Sequence, residues 1–99
     1  MKLLAIERDL PAVAAENFAP HLAAEASRVW ELYKAGIIRE LYFRADRHEA
    51  VLVLECADVE EAQQMLGTLP LVRENLIAFE LIPLAPYPGF ARLFAVERS

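Results

Sequence analysis

The stretch that most restricts the fold is Glu49 to Cys56, EAVLVLEC. Ala50-Val51-Leu52-Val53-Leu54 offers apolar side chains to both sides of an extended strand, so both of its faces must leave water. Such a strand belongs inside a sheet with something lying over each face. Elements of the same chain can cover one face. The chain has 99 residues, which is one domain, so little remains to cover the other.

The neighbouring segments define the sheet. Lys2 to Arg8 reads as a first strand, ended by Asp9-Leu10-Pro11. Phe18, Leu22, Ala26, Val29 and Tyr33 recur at three- and four-residue spacing, which predicts a long helix from about residue 15 to Ala35, with Trp30 beside the stripe. Pro20 has to lie in or near its first turn, since deeper placement costs about 3 kcal/mol, and Gly36 supplies the residue that ends it. Ile37 to Arg44 is a second strand. The polar turn Ala45-Asp46-Arg47 joins it to the Glu49–Cys56 strand as a hairpin. Asp58, with Glu61 three residues on, forms a capping box for a short helix that stops near Gly67. Leu76 to Ile82 is a fourth strand. The order β-α-β-β-α-β is that of the ferredoxin-like α+β sandwich, an antiparallel sheet with two helices on one face.

The other face of that sheet is bare, and composition says how it is covered. Hydrophobic residues make up 57% of the chain, whereas a domain this small buries only about two-thirds of its extended surface. Alanines in the helices absorb part of the surplus. The rest points to an interface. Two sheets packed face to face, a dimeric α+β barrel, cover both copies at once. Residues 1–84 then form the domain and 85–99 an apolar tail. Pro83, Pro86 and Pro88 hold the tail extended, and Phe90, Leu93 and Phe94 fall at helical spacing, suited to clamping a neighbouring subunit. A tail folded back on its own subunit is the alternative.

Charge and motifs exclude several classes. The net charge is −5 and the basic residues are scattered, so nucleic acid is not an expected partner. No apolar run approaches the ~18–20 residues of a membrane span. The opening MKLLAIERD is too briefly apolar for a signal peptide, so the expected location is cytoplasmic. The single cysteine, Cys56, reads as a small core residue. Two histidines and one cysteine lie far apart, with no HxH, HExxH or CxxC, so no metal site is expected; four glutamates holding a hard cation, for metal-dependent oxygen chemistry, is the remote alternative. No phosphate-binding glycine loop or nucleophile elbow is present, and no cofactor is expected.

Candidate chemistry comes from carboxylates on strands. If Leu4, Ile6, Leu41, Phe43, Leu52 and Leu54 face the helices, alternation sends Leu3, Ala5 and Glu7, with Ile38, Glu40, Tyr42 and Arg44, to the bare face. Glu49, Glu55 and Glu80 join them there. Glu7, Glu49 and Glu55 are near strand ends and read as solvated rim. Glu40 and Glu80 are mid-strand. A buried carboxylate is either neutralised, with Arg39 and Arg44 nearest in sequence, or holds its proton to higher pH, as an acid–base catalyst needs. Tyr42 can donate to a substrate oxygen. A one-residue slip would turn Glu40 and Tyr42 away. His48, opening the third strand, is a candidate for proton transfer or a plain turn residue. His21 reads as a solvated helix residue.

The segments AAEASRVWELYKAGIIRELYFR and TLPLVRENLIAFELIPLAPYP resemble the muconolactone isomerase-like proteins of the dimeric α+β barrel superfamily. The resemblance covers nearly the whole domain. It implies an acid on the long helix at Glu25, a glycine at Gly36, then a strand with an arginine like Arg39 and an aromatic like Tyr42. It also matches Leu69-Pro70-Leu71 and the glutamate-bearing last strand around Glu80. Three departures stand out. Glu40 replaces a histidine, Leu4 replaces an early histidine, and the stretch after Leu69-Pro70-Leu71 is one residue longer. The resemblance implies a cofactor-independent enzyme that moves a proton on a small organic acid, lactone or enol. Glu40, Glu80 or His48 would carry the proton. Arg39 or Arg44 would hold an anionic group, Tyr42 would steady an oxyanion, and Glu25 would bind substrate. It further implies a homodimer or larger homo-oligomer. The alternative is a non-catalytic ligand-binding or oligomer-assembly protein whose carboxylates form interface ion pairs.

Overall fold

In the computed structural model, which describes residues 1–11 and 14–94, four strands form one antiparallel sheet in the order β2-β3-β1-β4. The strands are β1 (Lys2–Asp9), β2 (Ile38–Phe43), β3 (Ala50–Glu55) and β4 (Ile77–Pro83). The helices are α1 (Leu22–Lys34), α2 (Val59–Leu66), a single turn α3 (Pro70–Arg73) and a terminal turn α4 (Ala91–Phe94). This is the ferredoxin-like α+β arrangement, with β1 and β3 central.

Local chemistry explains where the helices start and stop. The Asp58 carboxylate accepts the Glu61 N–H at 2.8 Å, and Glu61 reaches back to the Ala57 N–H at 3.3 Å. That reciprocal pair satisfies N–H groups the first turn of α2 leaves free. At the end of α1, Gly36 adopts φ 81°. The Ile37 N–H then bonds the Leu32 carbonyl at 3.0 Å and the Gly36 N–H bonds Tyr33 at 3.1 Å, the Schellman closure. Asn75, at φ 60°, does the same after α3, with Leu76 N–H on Leu71 at 2.9 Å. Both left-handed residues deliver the chain directly into a strand.

The long helix expected from residue 15 is divided. Two 3-10 turns, Ala15–Asn17 and Ala19–His21, precede α1, and Pro20 lies inside the second. Proline removes an N–H and clashes one turn back, so regular helix begins only after it. Beyond Gly67 the chain turns helical again: Leu69 caps α3, which begins at Pro70, because proline is tolerated at a first helical position.

The core lies between sheet and helices. Leu3, Ala5, Leu52 and Leu54 pack against Leu32, Ala62, Leu66 and Leu69. The first strand is therefore in the opposite phase to the one expected. Antiparallel pairing sets Leu3 opposite Leu54 and Ala5 opposite Leu52, and directly paired residues share a face. Leu4 and Ile6 face the open side, and Glu7 faces the helices. Ile38 also turns inward, because the β2–β3 register shifts between Ile38 and Glu40. The other three strands hold the expected phase around Leu41, Phe43, Leu52, Glu40 and Glu80.

The open face carries Leu4, Ile6, Val51, Val53, Ala78 and Ile82, all only half-buried. Past β4 the tail stays exposed, with Leu93 74% and Phe94 80% exposed. The Tyr87 ring packs on Gly89, where a Cβ would come within 2.1 Å of it, and meets Phe90 edge-on at 5.1 Å. The molecule is drawn out to 65 × 28 × 21 Å. The last tail positions, 95–99, lie outside the described residues. Among the described residues no helix is long and apolar enough to cross a membrane.

Candidate functional site

Between the helix side of the sheet and α1 lies a cavity of about 980 Å³, at the upper end of the range for small-molecule sites. Leu22, Val29 and Trp30 of α1 face Leu52, Ile77 and Phe79 of the sheet across it. Three carboxylates line this largely apolar space, Glu7, Asp9 and Glu25, and Glu7 and Glu25 are each anchored by one backbone donor.

Glu7 is the third inward residue of β1, after Leu3 and Ala5. Pairing between β1 and β3 ends at Ile6 opposite Val51. The Glu7 carboxylate takes the next N–H, that of Ala50, at 2.9 Å. It stands in for the strand carbonyl missing there. Glu7 is 8% exposed, and burial pushes its pKa up to about 7, with the nearby Asp9 and Glu49 adding to the rise and the Ala50 N–H opposing it. Near neutral pH it can both take and give a proton.

Glu25 sits in the first turn of α1 and accepts the Leu71 N–H at 2.9 Å. That N–H belongs to the first turn of α3 and has no partner within it. Glu25 thus pins the Leu69-Pro70-Leu71 corner to the long helix. Burial raises its pKa, against the opposing effect of the Leu71 N–H.

His48 also lines the cavity, stacked on Phe43 with ring centroids 4.3 Å apart, and Tyr42 reaches it from the edge strand. The Tyr42 hydroxyl donates to Glu40 at 2.9 Å, which raises the tyrosine pKa. The remaining expected residues lie elsewhere. Glu40 and Glu80 are on the open face, and Glu80 pairs with Arg8 at 3.2 Å rather than with Arg39 or Arg44. Arg39 donates to the Gly36 carbonyl. Arg44 donates to both oxygens of Asp46, at 2.8 and 2.6 Å, and to Glu49 at 3.3 Å. Glu49, expected as solvated rim, is 7% exposed beneath that guanidinium. Glu55 holds the Met1 ammonium at 2.7 Å. Among the described residues no group of three or more His, Cys, Asp or Glu is arranged to hold a metal ion.

Glu7 is the residue that sequence reading misplaced. The signal that finds it is cross-strand: once Leu52 and Leu54 face the helices, their partners Ala5 and Leu3 must as well, and Glu7 follows.

The family model for muconolactone delta-isomerase matches residues 4–89. The chain belongs to that family. The match spans β1 through β4 and so includes Glu7, Glu25, Tyr42 and His48. Among solved structures, muconolactone isomerase superposes with a TM-score of 0.73 at 22% identity, over 90% of this chain and 93% of that one. The 5-chloro-2-hydroxyhydroquinone dehydrochlorinase from Burkholderia phenoliruptrix AC1100, in complex with 2,5-dihydroxybenzoquinone, gives 0.67 at 17% identity, over 90% and 98%. At these identities the two structures speak to the fold. No curated protein matches the chain.

Proposed function

We propose that this member of the muconolactone delta-isomerase family is a cofactor-independent enzyme that shifts a proton along a small lactone, enol or organic acid. The observation that carries the reading is the pair Glu7 and Glu25, held on backbone N–H groups in a mostly apolar cavity. The Glu7 carboxylate removes a proton from the carbon beside the substrate carbonyl. The C–H electron pair becomes the enolate double bond and charge moves to the carbonyl oxygen. Glu7, now the acid, returns the proton further along the conjugated system. No electrons enter or leave. The Glu25 carboxyl, whose proton is retained to higher pH by burial, donates to the enolate oxygen, and His48 stands at the same cavity.

The reading includes a homodimer. The open face is apolar on Leu4, Ile6, Val51 and Val53, and a second copy of the sheet is the surface that complements it. Glu40 and Glu80 then belong to the interface, and the exposed tail aromatics lie against a neighbouring subunit.

Incubating the protein with α-angelica lactone in D2O and following the ring protons by NMR tests the chemistry. Deuterium incorporation with movement of the double bond, lost in Glu7→Gln, supports it. Exchange no faster than the buffer rate would leave the ligand-binding or assembly alternative.

A further inference from the structure

Asp9 lines the cavity beside Glu7, and the proton shift proposed above gives it no part. The two acids are two residues apart on β1. Pairing with β4 sets Glu7 opposite Phe79 and Asp9 opposite Ile77. Directly paired residues share a face, and Phe79 and Ile77 both line the cavity, so both carboxyls stand on its side. Their depths differ. Glu7 is 8% exposed, whereas Asp9, at the end of β1, is exposed. The Glu7 carboxyl commits one oxygen, Oε1, to the Ala50 N–H, and the Asp9 side chain is also its hydrogen-bond partner. Two ionised carboxylates have no proton to donate to each other. A hydrogen bond between them requires that one proton lie in the pair, and close like charges favour that state over the doubly ionised one.

We infer that Glu7 and Asp9 hold one proton between them, and that Asp9, the member at the mouth, exchanges it with water. The inference rests on the proposed site and deepens it. Asp9 is a positioning residue, because it acts through Glu7 and needs no contact with substrate. With the shared proton on Asp9, Glu7 is a base. With the proton on Glu7, Glu7 is an acid. After Glu7 has taken a proton from carbon, the pair holds two. Asp9 can then give its own to water and take another back, and exchange between the two carboxyls brings that solvent proton to Glu7. The O–H bond broken on one carboxyl is formed on the other, and no electrons enter or leave. Asp9 therefore sets how often the substrate receives a solvent proton in place of its own.

The other titratable and charged groups around Glu7 are Glu49 and His48 ahead of β3, Arg44 bound to Glu49, and Glu25, Tyr33 and Tyr42, which line the same cavity from α1 and β2. Burial is the largest cause of the raised Glu7 pKa, and Asp9 comes before Glu49 among the acids that add to it.

NMR titration of full-length protein, 13C-labelled at its Glu and Asp carboxyls, tests the pair without substrate. The Glu7 resonance should inflect at about pH 7, and the Asp9 resonance should respond at the same pH. In Asp9→Asn the Glu7 inflection should fall by at least about half a pH unit. Asp9 is exposed at a strand end, so the replacement opens no core, and the Asp9 response in the unaltered chain is a second measure that needs no variant. An unmoved Glu7 inflection, or an Asp9 resonance silent at that pH, overturns the inference. The exchange role is read with α-angelica lactone in D2O, as deuterium incorporated per double bond moved. That ratio should drop at least about threefold in Asp9→Asn and recover in Asp9→Glu. An unchanged ratio overturns the exchange role. If no lactone is turned over, that role falls with the catalytic reading and the titration alone decides the shared proton. Turnover with an unmoved inflection does the opposite.

Discussion

On the helix side of the sheet, Glu7 and Glu25 stand behind apolar walls with one backbone donor apiece. On the open side, Glu80 has Arg8 at 3.2 Å and Glu40 has the Tyr42 hydroxyl at 2.9 Å, all of them exposed. The residue type is the same on both faces. The surroundings differ: burial without a cation raises the pKa of Glu7 and Glu25, whereas Glu40 and Glu80 stand in solvent beside a donor. The apolar residues divide the other way. On β1 and β3 the helix-side residues Leu3, Ala5, Leu52 and Leu54 are buried, and the open-side residues Leu4, Ile6, Val51 and Val53 are only half-buried.

The largest expected effect separates the two sets of acids. Glu7→Gln should slow lactone proton exchange by about 10²–10⁴-fold, the usual cost of losing a general base. Glu80→Gln should change it by less than about threefold. Equal losses would mean that the two faces do not differ in chemistry.

Next is the open face. Val53→Glu puts a charge at its centre, where burial without a partner is costly by several kcal/mol. Sedimentation at micromolar concentration should show a dimer for the unaltered chain and a folded single subunit for the variant. A monomer in both would show that the open face is tolerated in water.

A smaller effect lies in pH-dependent stability. The folded pKa of Glu7, about 7, is above its ordinary 4.5. Between those values the folded chain keeps a proton that the unfolded chain has released, so stability falls as pH rises through that window and levels off above about 7. The full loss is roughly 3 kcal/mol. Urea unfolding at intervals across the window should trace that decline, with Glu25 contributing in the same direction. Glu7→Gln should flatten most of it and raise the midpoint at pH 8. An unchanged slope would remove Glu7 from the buried set.

The smallest effect belongs to the Arg8–Glu80 pair, both side chains about half exposed. In the single-subunit Val53→Glu background, Glu80→Gln should cost less than about 1 kcal/mol, and less at high salt. A loss of several kcal/mol there would mean that the pair is more than a solvated contact.

Much of the fold was legible residue by residue. Asp58 and Glu61 announced α2, Gly36 announced the end of α1, and the doubly apolar β3 announced a central strand. The first turn of α1 was less legible, since helical spacing continued through Pro20 although regular geometry did not. Of the site, Glu25, Tyr42 and His48 were in view as isolated candidates. Glu7 was in view only as a rim residue, and the anchoring N–H groups of Ala50 and Leu71 leave no trace in a linear pattern.

By itself, the sequence determined the order of the strands and main helices and the antiparallel sheet with an apolar open face. Period, capping chemistry and hydrophobicity are local, and they are written in adjacent residues. The phase of β1 was a tertiary decision. Leu3-Leu4-Ala5-Ile6 is apolar in either phase, so alternation is silent there, and only pairing of Leu3 with Leu54 and of Ala5 with Leu52 carries Glu7 into the cavity.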